Sequence, residues 1–209
     1  MKKISLIATA AIVLTLSMSF LAQKSKFVSL FDGKTLSGWK VGENATSFKV
    51  EDGAIVVNGP VGHLFYDGTV GNHDFKNFEF KAKVMTMPGS NSGLYFHTKY
   101  QEKSWPSKGY EVQVNNSHTD WKRTASLYDI KDVKETYVKD NEWYTETIIV
   151  QGKRIITKIN DKVVVEYIEP DNIDQSKGRK LSSGTFAIQA HDPKSKVLVK
   201  DIMVKILPD

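Results

Sequence analysis

The chain of 209 residues has no cysteine, so neither a disulfide framework nor a lipid-attachment cysteine behind a leader is available to it. Helical patterning is also missing. From Phe27 onward no amphipathic helix of ordinary length can be found, and apolar residues recur at period two instead. Charge of one sign is scarce: the formal net charge is +5, and +3 once Lys2 and Lys3 are set aside (5 − 2). So mild and evenly spread an excess argues against a nucleic-acid partner. The longest basic cluster, SKGRK at 176–180, has the composition of a solvated loop. No internal repeat or low-complexity linker divides the chain, so a second domain is not expected.

What is present begins with MKKISLIATAAIVLTLSMSFLAQKSK, in which two lysines precede an uncharged apolar run from Ile4 to Ala22 with small residues near its end. That is the layout of a secretory signal peptide over residues 1–22, with cleavage after Ser19 or Ala22. A run of about 19 residues could just span a bilayer, but Ala, Thr and Ser dilute this one. The expectation is a secreted protein, placed in a bacterial periplasm, whose mature part (23–209) is a single domain with no membrane attachment after cleavage. About 187 residues (209 − 22) suffice for a sizeable core without staples.

FEFKAKVMT puts Phe78, Phe80, Ala82 and Val84 on one face and Glu79, Lys81 and Lys83 on the other, the pattern of a strand with one buried and one wet side. SGLYFHTK (92–99), GYEVQVNN (109–116), ETIIVQ (146–151), RIITKIN (154–160), KVVVEYI (162–168), GTFAIQAH (184–191) and KVLVKDIMVKIL (196–207) read as further strands. Turn signals separate them: Asp52-Gly53, Pro88-Gly89, Gln151-Gly152, Asn160-Asp161 and Asp192-Pro193. Residues 146–168 predict a meander of hairpins. The long polar stretch 169–182 predicts a loop. Many short strands without helical partners make the fold class all-β, a two-sheet antiparallel jelly-roll sandwich.

Three of these strands carry an unusual polar row. Glu111 and Gln113 alternate with Val112 and Val114, Tyr95 and His97 with Leu94 and Phe96, and Gln189 and His191 with Ile188 and Ala190. Solvent-facing rows elsewhere use Lys, Arg and Glu. Tyr, His, Gln and one Glu suit a partly enclosed, hydrogen-bonding surface. If the strands share a sheet, Tyr95, His97, Glu111, Gln113, Gln189 and His191 converge on one face.

The segments SLFDGKTLSGWK, NSGLYFH, GYEVQV, ASLYDI, NEWYTETIIVQGKRIITKINDKVVVEY and GTFAIQAHDPKSKVLVKDIMVKIL run in consistent order from 29 to 207. Together they resemble the 3-keto-disaccharide hydrolase domain, which is similar to the concanavalin A-like lectin/glucanase sandwiches. The resemblance implies a carbohydrate cleft on one sheet and a di- or oligosaccharide substrate. It departs from the glucanases where their chemistry sits. Their acid row supplies a nucleophile and a proton donor about 5.5 Å apart on one strand, whereas here Glu111 is followed by Gln113 and Asn115. A lectin-like calcium loop is not evident either.

The implied activity needs no acid pair. A ketone at C3 acidifies the C2 proton, so a base can remove it while the C1 substituent leaves and water adds afterwards. Glu111 and His191 are assigned acid/base or ligand roles, and His97 the polarisation of a sugar oxygen. Tyr95, Gln113, Gln189 and Tyr128 are hydrogen-bond partners for hydroxyls. Trp105 and Trp121, in loop-like sequence, are candidate stacking platforms. No cofactor is required. One Glu with two His could hold a divalent metal in an open site, but no tight spacing such as H-E-x-x-H occurs. The alternative is a non-catalytic carbohydrate-binding module on the same face. The sequence sets no oligomeric state.

Overall fold

The computed structural model describes residues 26–173 and 178–209. The expected leader lies outside them, as do residues 174–177 of the expected polar loop. Period-two patterning becomes thirteen strands: β1 (Val28–Ser29), β2 (Trp39–Val41), β3 (Phe48–Glu51), β4 (Ala54–Val57), β5 (Gly62–Tyr66), β6 (Phe78–Thr86), β7 (Ser92–Thr98), β8 (Tyr110–Val114), β9 (Tyr144–Gln151), β10 (Arg154–Ile159), β11 (Lys162–Ile168), β12 (Thr185–Ala190) and β13 (Val197–Ile206). Among the described residues only two short 3₁₀ turns, Ala45–Ser47 and Val70–His73, interrupt them. No described helix is long and apolar enough to cross a membrane.

The strands form an eight-stranded sheet, ordered β11-β10-β9-β6-β13-β4-β3 with β1 also on β13, and a five-stranded sheet, β2-β5-β12-β7-β8. Every pairing is antiparallel, and β9-β10-β11 is the expected meander. This is the jelly-roll sandwich anticipated from the patterning. Strands β4 and β5, which were not singled out in the sequence, are buried along their whole length. With both faces covered they show no alternation to read.

The core lies between the sheets. Leu94, Phe96, Val112, Val114, Phe186 and Ile188 point inward from the five-stranded sheet, all essentially buried, against Phe78, Phe80, Ile148 and Val150 of the other. The Phe186 ring sits 4.9 Å from Phe78 and 4.6 Å from Phe80. Since neighbouring residues of a strand face opposite ways, this packing turns Tyr95, Glu111, Gln113 and Gln189 outward. Loops then cover them. The free edge of β8 is bonded by 124–128, with Ala125 N–H donating to Gln113 O (2.8 Å) and Tyr128 N–H to Glu111 O (3.0 Å).

One inward position carries a carboxyl. Glu146 on β9 is fully buried, and both carboxyl oxygens lack a hydrogen-bond partner. Burial pushes its pKa well above the ordinary 4.5, so the folded chain holds the proton that the unfolded chain gives up. A raised pKa contributes stability at low pH that is lost as pH rises. Stability should therefore fall by up to about 1.4 kcal/mol per pH unit above the unfolded value. The Glu146→Gln variant lacks that slope. In urea titrations it should match the wild type near pH 4 and exceed it increasingly toward pH 8; parallel curves would show the carboxyl to be ionised or solvated.

Candidate active site

On the outer face of the five-stranded sheet, β7, β8 and β12 meet in register: Tyr95 pairs with Glu111 on one side and with Ala187 on the other. That register stacks Tyr95, Glu111 and Gln189 into one hydrogen-bonded group. The Tyr95 hydroxyl donates to Glu111 Oε2 (2.7 Å), and Gln189 Nε2 donates to Glu111 Oε1 (3.0 Å) and to Tyr95 Oη (2.9 Å). Above it opens a cavity of about 320 Å³, walled by Trp105, Pro106, Tyr128, Asp120, Arg179, Asn91 and His191.

Burial dominates the electrostatics. It raises the Glu111 carboxyl to about 7, while the Tyr95 and Gln189 donors and the charge of Arg179 pull it back toward ionisation. The Tyr95 phenol is pushed well above 10, first by burial and then by the adjacent carboxylate, so it stays a donor. Around this group several buried atoms have no partner: both amide atoms of Gln113, Oε1 of Gln189 and Oδ1 of Asn91. Unpaired buried donors and acceptors on a pocket floor are costly unless a polar ligand completes them.

Most of the expected residues do come together. Tyr95, Glu111, Gln113, Gln189, His191, Tyr128 and Trp105 line the cavity. His97 does not. A register shift between Thr185 and Ala187 opposite it, with φ of 54° at His97, interrupts the alternation and turns the ring away. Its ring packs 5.7 Å from Phe78, Nε2–H donates to Lys76 O (2.9 Å), and Nδ1 accepts from Ser182 N–H (3.2 Å). Burial lowers its pKa to about 4. It is a neutral histidine pinning neighbouring loops, too remote to polarise a sugar oxygen. The set of Glu111 with two histidines, His97 and His191, is likewise not assembled. Trp121 also lies off the cavity, half exposed, with Lys134 Nζ 5.3 Å from its ring centre.

Other residues of the site were not anticipated. Arg179 reaches the wall from the loop before β12, donates to Tyr128 O and lies 3.7 Å from Asp129. Lys122 and Arg179 both lie over the Tyr128 ring, at 4.0 and 5.3 Å. His63 on β5 meets Tyr95 (5.4 Å) and Trp105 (5.5 Å) edge-on, and burial keeps it neutral with a pKa near 4. Asp120 stands in a turn held by Asn115, whose Nδ2 donates to Asp120 O (2.9 Å) and Lys122 O (2.8 Å). His63 lies on β5, whose two covered faces leave no alternation to mark it, and loop residues have no periodicity at all.

Comparison with known proteins gives the family and the fold. A family model described as a 3-keto-alpha-glucoside-1,2-lyase-like domain matches residues 26–205. A 3-keto-disaccharide hydrolase of Bacteroides thetaiotaomicron is 32% identical over 68% of this chain, and the chain spans 58% of that protein's length. A candidate glycosyl hydrolase of Parabacteroides distasonis superposes with a TM-score of 0.73 at 21% identity, covering 87% of this chain and 94% of its own. A carbohydrate-binding module of Bacillus subtilis follows the same fold with a TM-score of 0.57 at 12% identity, covering 80% and 95% of the two chains.

Proposed function

The chain belongs to the 3-keto-alpha-glucoside-1,2-lyase-like family, and from that premise we propose that it is an exported enzyme cleaving the glycosidic bond of 3-keto-disaccharides or related 3-keto-glycosides by general-base elimination and hydration. One observation carries the reading. A single carboxyl, Glu111, is buried at the floor of a polar cavity and tuned to about 7, where a general base is effective near neutral pH.

In this mechanism Glu111 removes the C2 proton of a sugar oxidised at C3. The electron pair forms the C1–C2 double bond as the C1–O bond breaks, and the departing oxygen takes a proton from His191 at the rim. The guanidinium of Arg179 opposes negative charge growing on the ketone oxygen. Gln113 and Gln189 meet hydroxyls with their unpaired amide atoms, and Trp105 offers a face to the sugar ring. Water then adds across the double bond, for which Glu111 holds the proton that C2 recovers. A lyase and a hydrolase share the first half and differ in whether this water adds.

The second carboxylate of the wall, Asp120, accepts from Lys122 N–H at 3.1 Å and so closes its own turn. Incubation with 3-keto-trehalose or 3-keto-lactose, beside the unoxidised sugars, should release monosaccharide from the oxidised ones alone. Cleavage of the unoxidised sugars would instead indicate a two-carboxylate glycosidase. Binding with no turnover of either would leave a lectin-like module.

A further inference from the structure

Where β12 ends, His191 and Asp192 stand beside His118 from the loop after β8. Each offers a ligand atom, and the three atoms lie within 4.8 Å of one another. The geometry points to a divalent first-row transition-metal site on His118, His191 and Asp192, with Asn91 as a further oxygen ligand, opening into the sugar cavity. Two imidazoles and one carboxylate with positions left open suit zinc, cobalt, nickel or iron better than magnesium or calcium, which favour all-oxygen shells.

Asn91 supplies an independent sign. Only 3% exposed, it leaves Oδ1 buried and unpartnered while Nδ2 stands 3.4 Å from His118 Nδ1. Turning the amide over brings that oxygen toward the histidine cluster. His191 Nδ1 and Asp192 Oδ2 are 2.8 Å apart, close to the roughly 2.9–3.4 Å that separates adjacent ligands when bonds are about 2.0–2.1 Å long. The Asp192 carboxylate is already oriented, because Lys194 N–H (2.8 Å) and Ser195 Oγ–H (2.7 Å) donate to it, so an ion meets a prepared ligand. Coordination replaces the hydrogen bond between His191 Nδ1 and Asp192 Oδ2 and, where His118 binds through Nδ1, the one that atom accepts from Asp120 N–H (3.1 Å), losses that metal–ligand bonds outweigh.

Both His191 and Asn91 also line the cavity, so open coordination positions face the place of the substrate. That role toward a sugar oxygen rests on the function proposed above, where a bound ion would take over from His191 as the group that meets the departing oxygen; the site itself does not.

Full-length mature protein, stripped with a chelator and dialysed, is titrated with Zn²⁺ by calorimetry and with Co²⁺ by quenching of tryptophan fluorescence, Trp105 lying 5.9 Å from His191. The expected result is one ion per chain in the micromolar range. His118→Gln and Asp192→Asn should each weaken it by at least about tenfold, with metal-free circular dichroism unchanged. The proposal is overturned by no stoichiometric binding at millimolar metal, or by binding that both folded variants retain. Chain that binds the ion yet turns over no 3-keto sugar, with or without it, keeps the site and removes the substrate reading alone.

Discussion

The Glu111→Gln variant should lose turnover of a 3-keto-disaccharide by a factor on the order of 10² to 10⁴, the usual worth of a positioned base. Its affinity for the sugar should hardly change. The amide keeps the size and can still accept from Tyr95 and hydrogen-bond hydroxyls, so the loss belongs to the transition state and appears in kcat. In the wild type, turnover should rise with pH through about 7, because only the ionised carboxylate removes a proton. Stability should run the other way. The folded pKa of Glu111 is raised from 4.5 to about 7, so its contribution is full below 4.5 and is lost as pH rises through 7. The Gln variant should thus be more stable than the wild type at pH 8, by up to about 3 kcal/mol, and equal to it near pH 4. Near-full turnover in this variant would remove Glu111 from the mechanism. Equal stability at both pH values would mean its carboxyl is not desolvated.

The second large effect is expected from Gly93→Ala. Gly93 lies on β7 opposite Gln113 and has the outward parity of Tyr95. A Cβ there would overlap Glu111 Oε1 and come within 2.9 Å of its Cδ and Cγ. The backbone can hold an alanine, since its φ is not in the left-handed region, so the fold should survive with a modestly lowered melting temperature. The carboxylate cannot stay where Tyr95 and Gln189 hold it. A displacement of about 1 Å can cost a reaction on the order of 10² in rate, and turnover should fall by at least that much while the chain remains folded. Retention of wild-type kcat with an unchanged pH profile would show that the placement of Glu111 on this floor is immaterial.

Gly93 illustrates how far a linear reading reaches. A glycine inside a strand signals the close approach of another backbone or a ligand; that the neighbour is instead the Glu111 side chain is set by the register of β7 on β8, which neither strand shows alone. Alternation along β7, β8 and β12 determined which residues enter the core and which form the polar row, since a strand's faces are fixed by parity alone. It determined the all-β class for the same reason, and the order of the motif segments determined the family. Tertiary structure decided the rest. His97 left the row because of an irregularity in its pairing with β12, a property of two strands that neither shows alone. Arg179, Asp120 and Asn91 reached the cavity, and His118 came beside His191 at its edge, on loops shaped by their own side-chain hydrogen bonds, such as those of Asn115 within its turn, and loops carry no periodicity to read. The basicity of Glu111 was decided last of all: a carboxyl's pKa follows from how completely water is excluded around it, and that exclusion exists only once the loops have closed over the sheet.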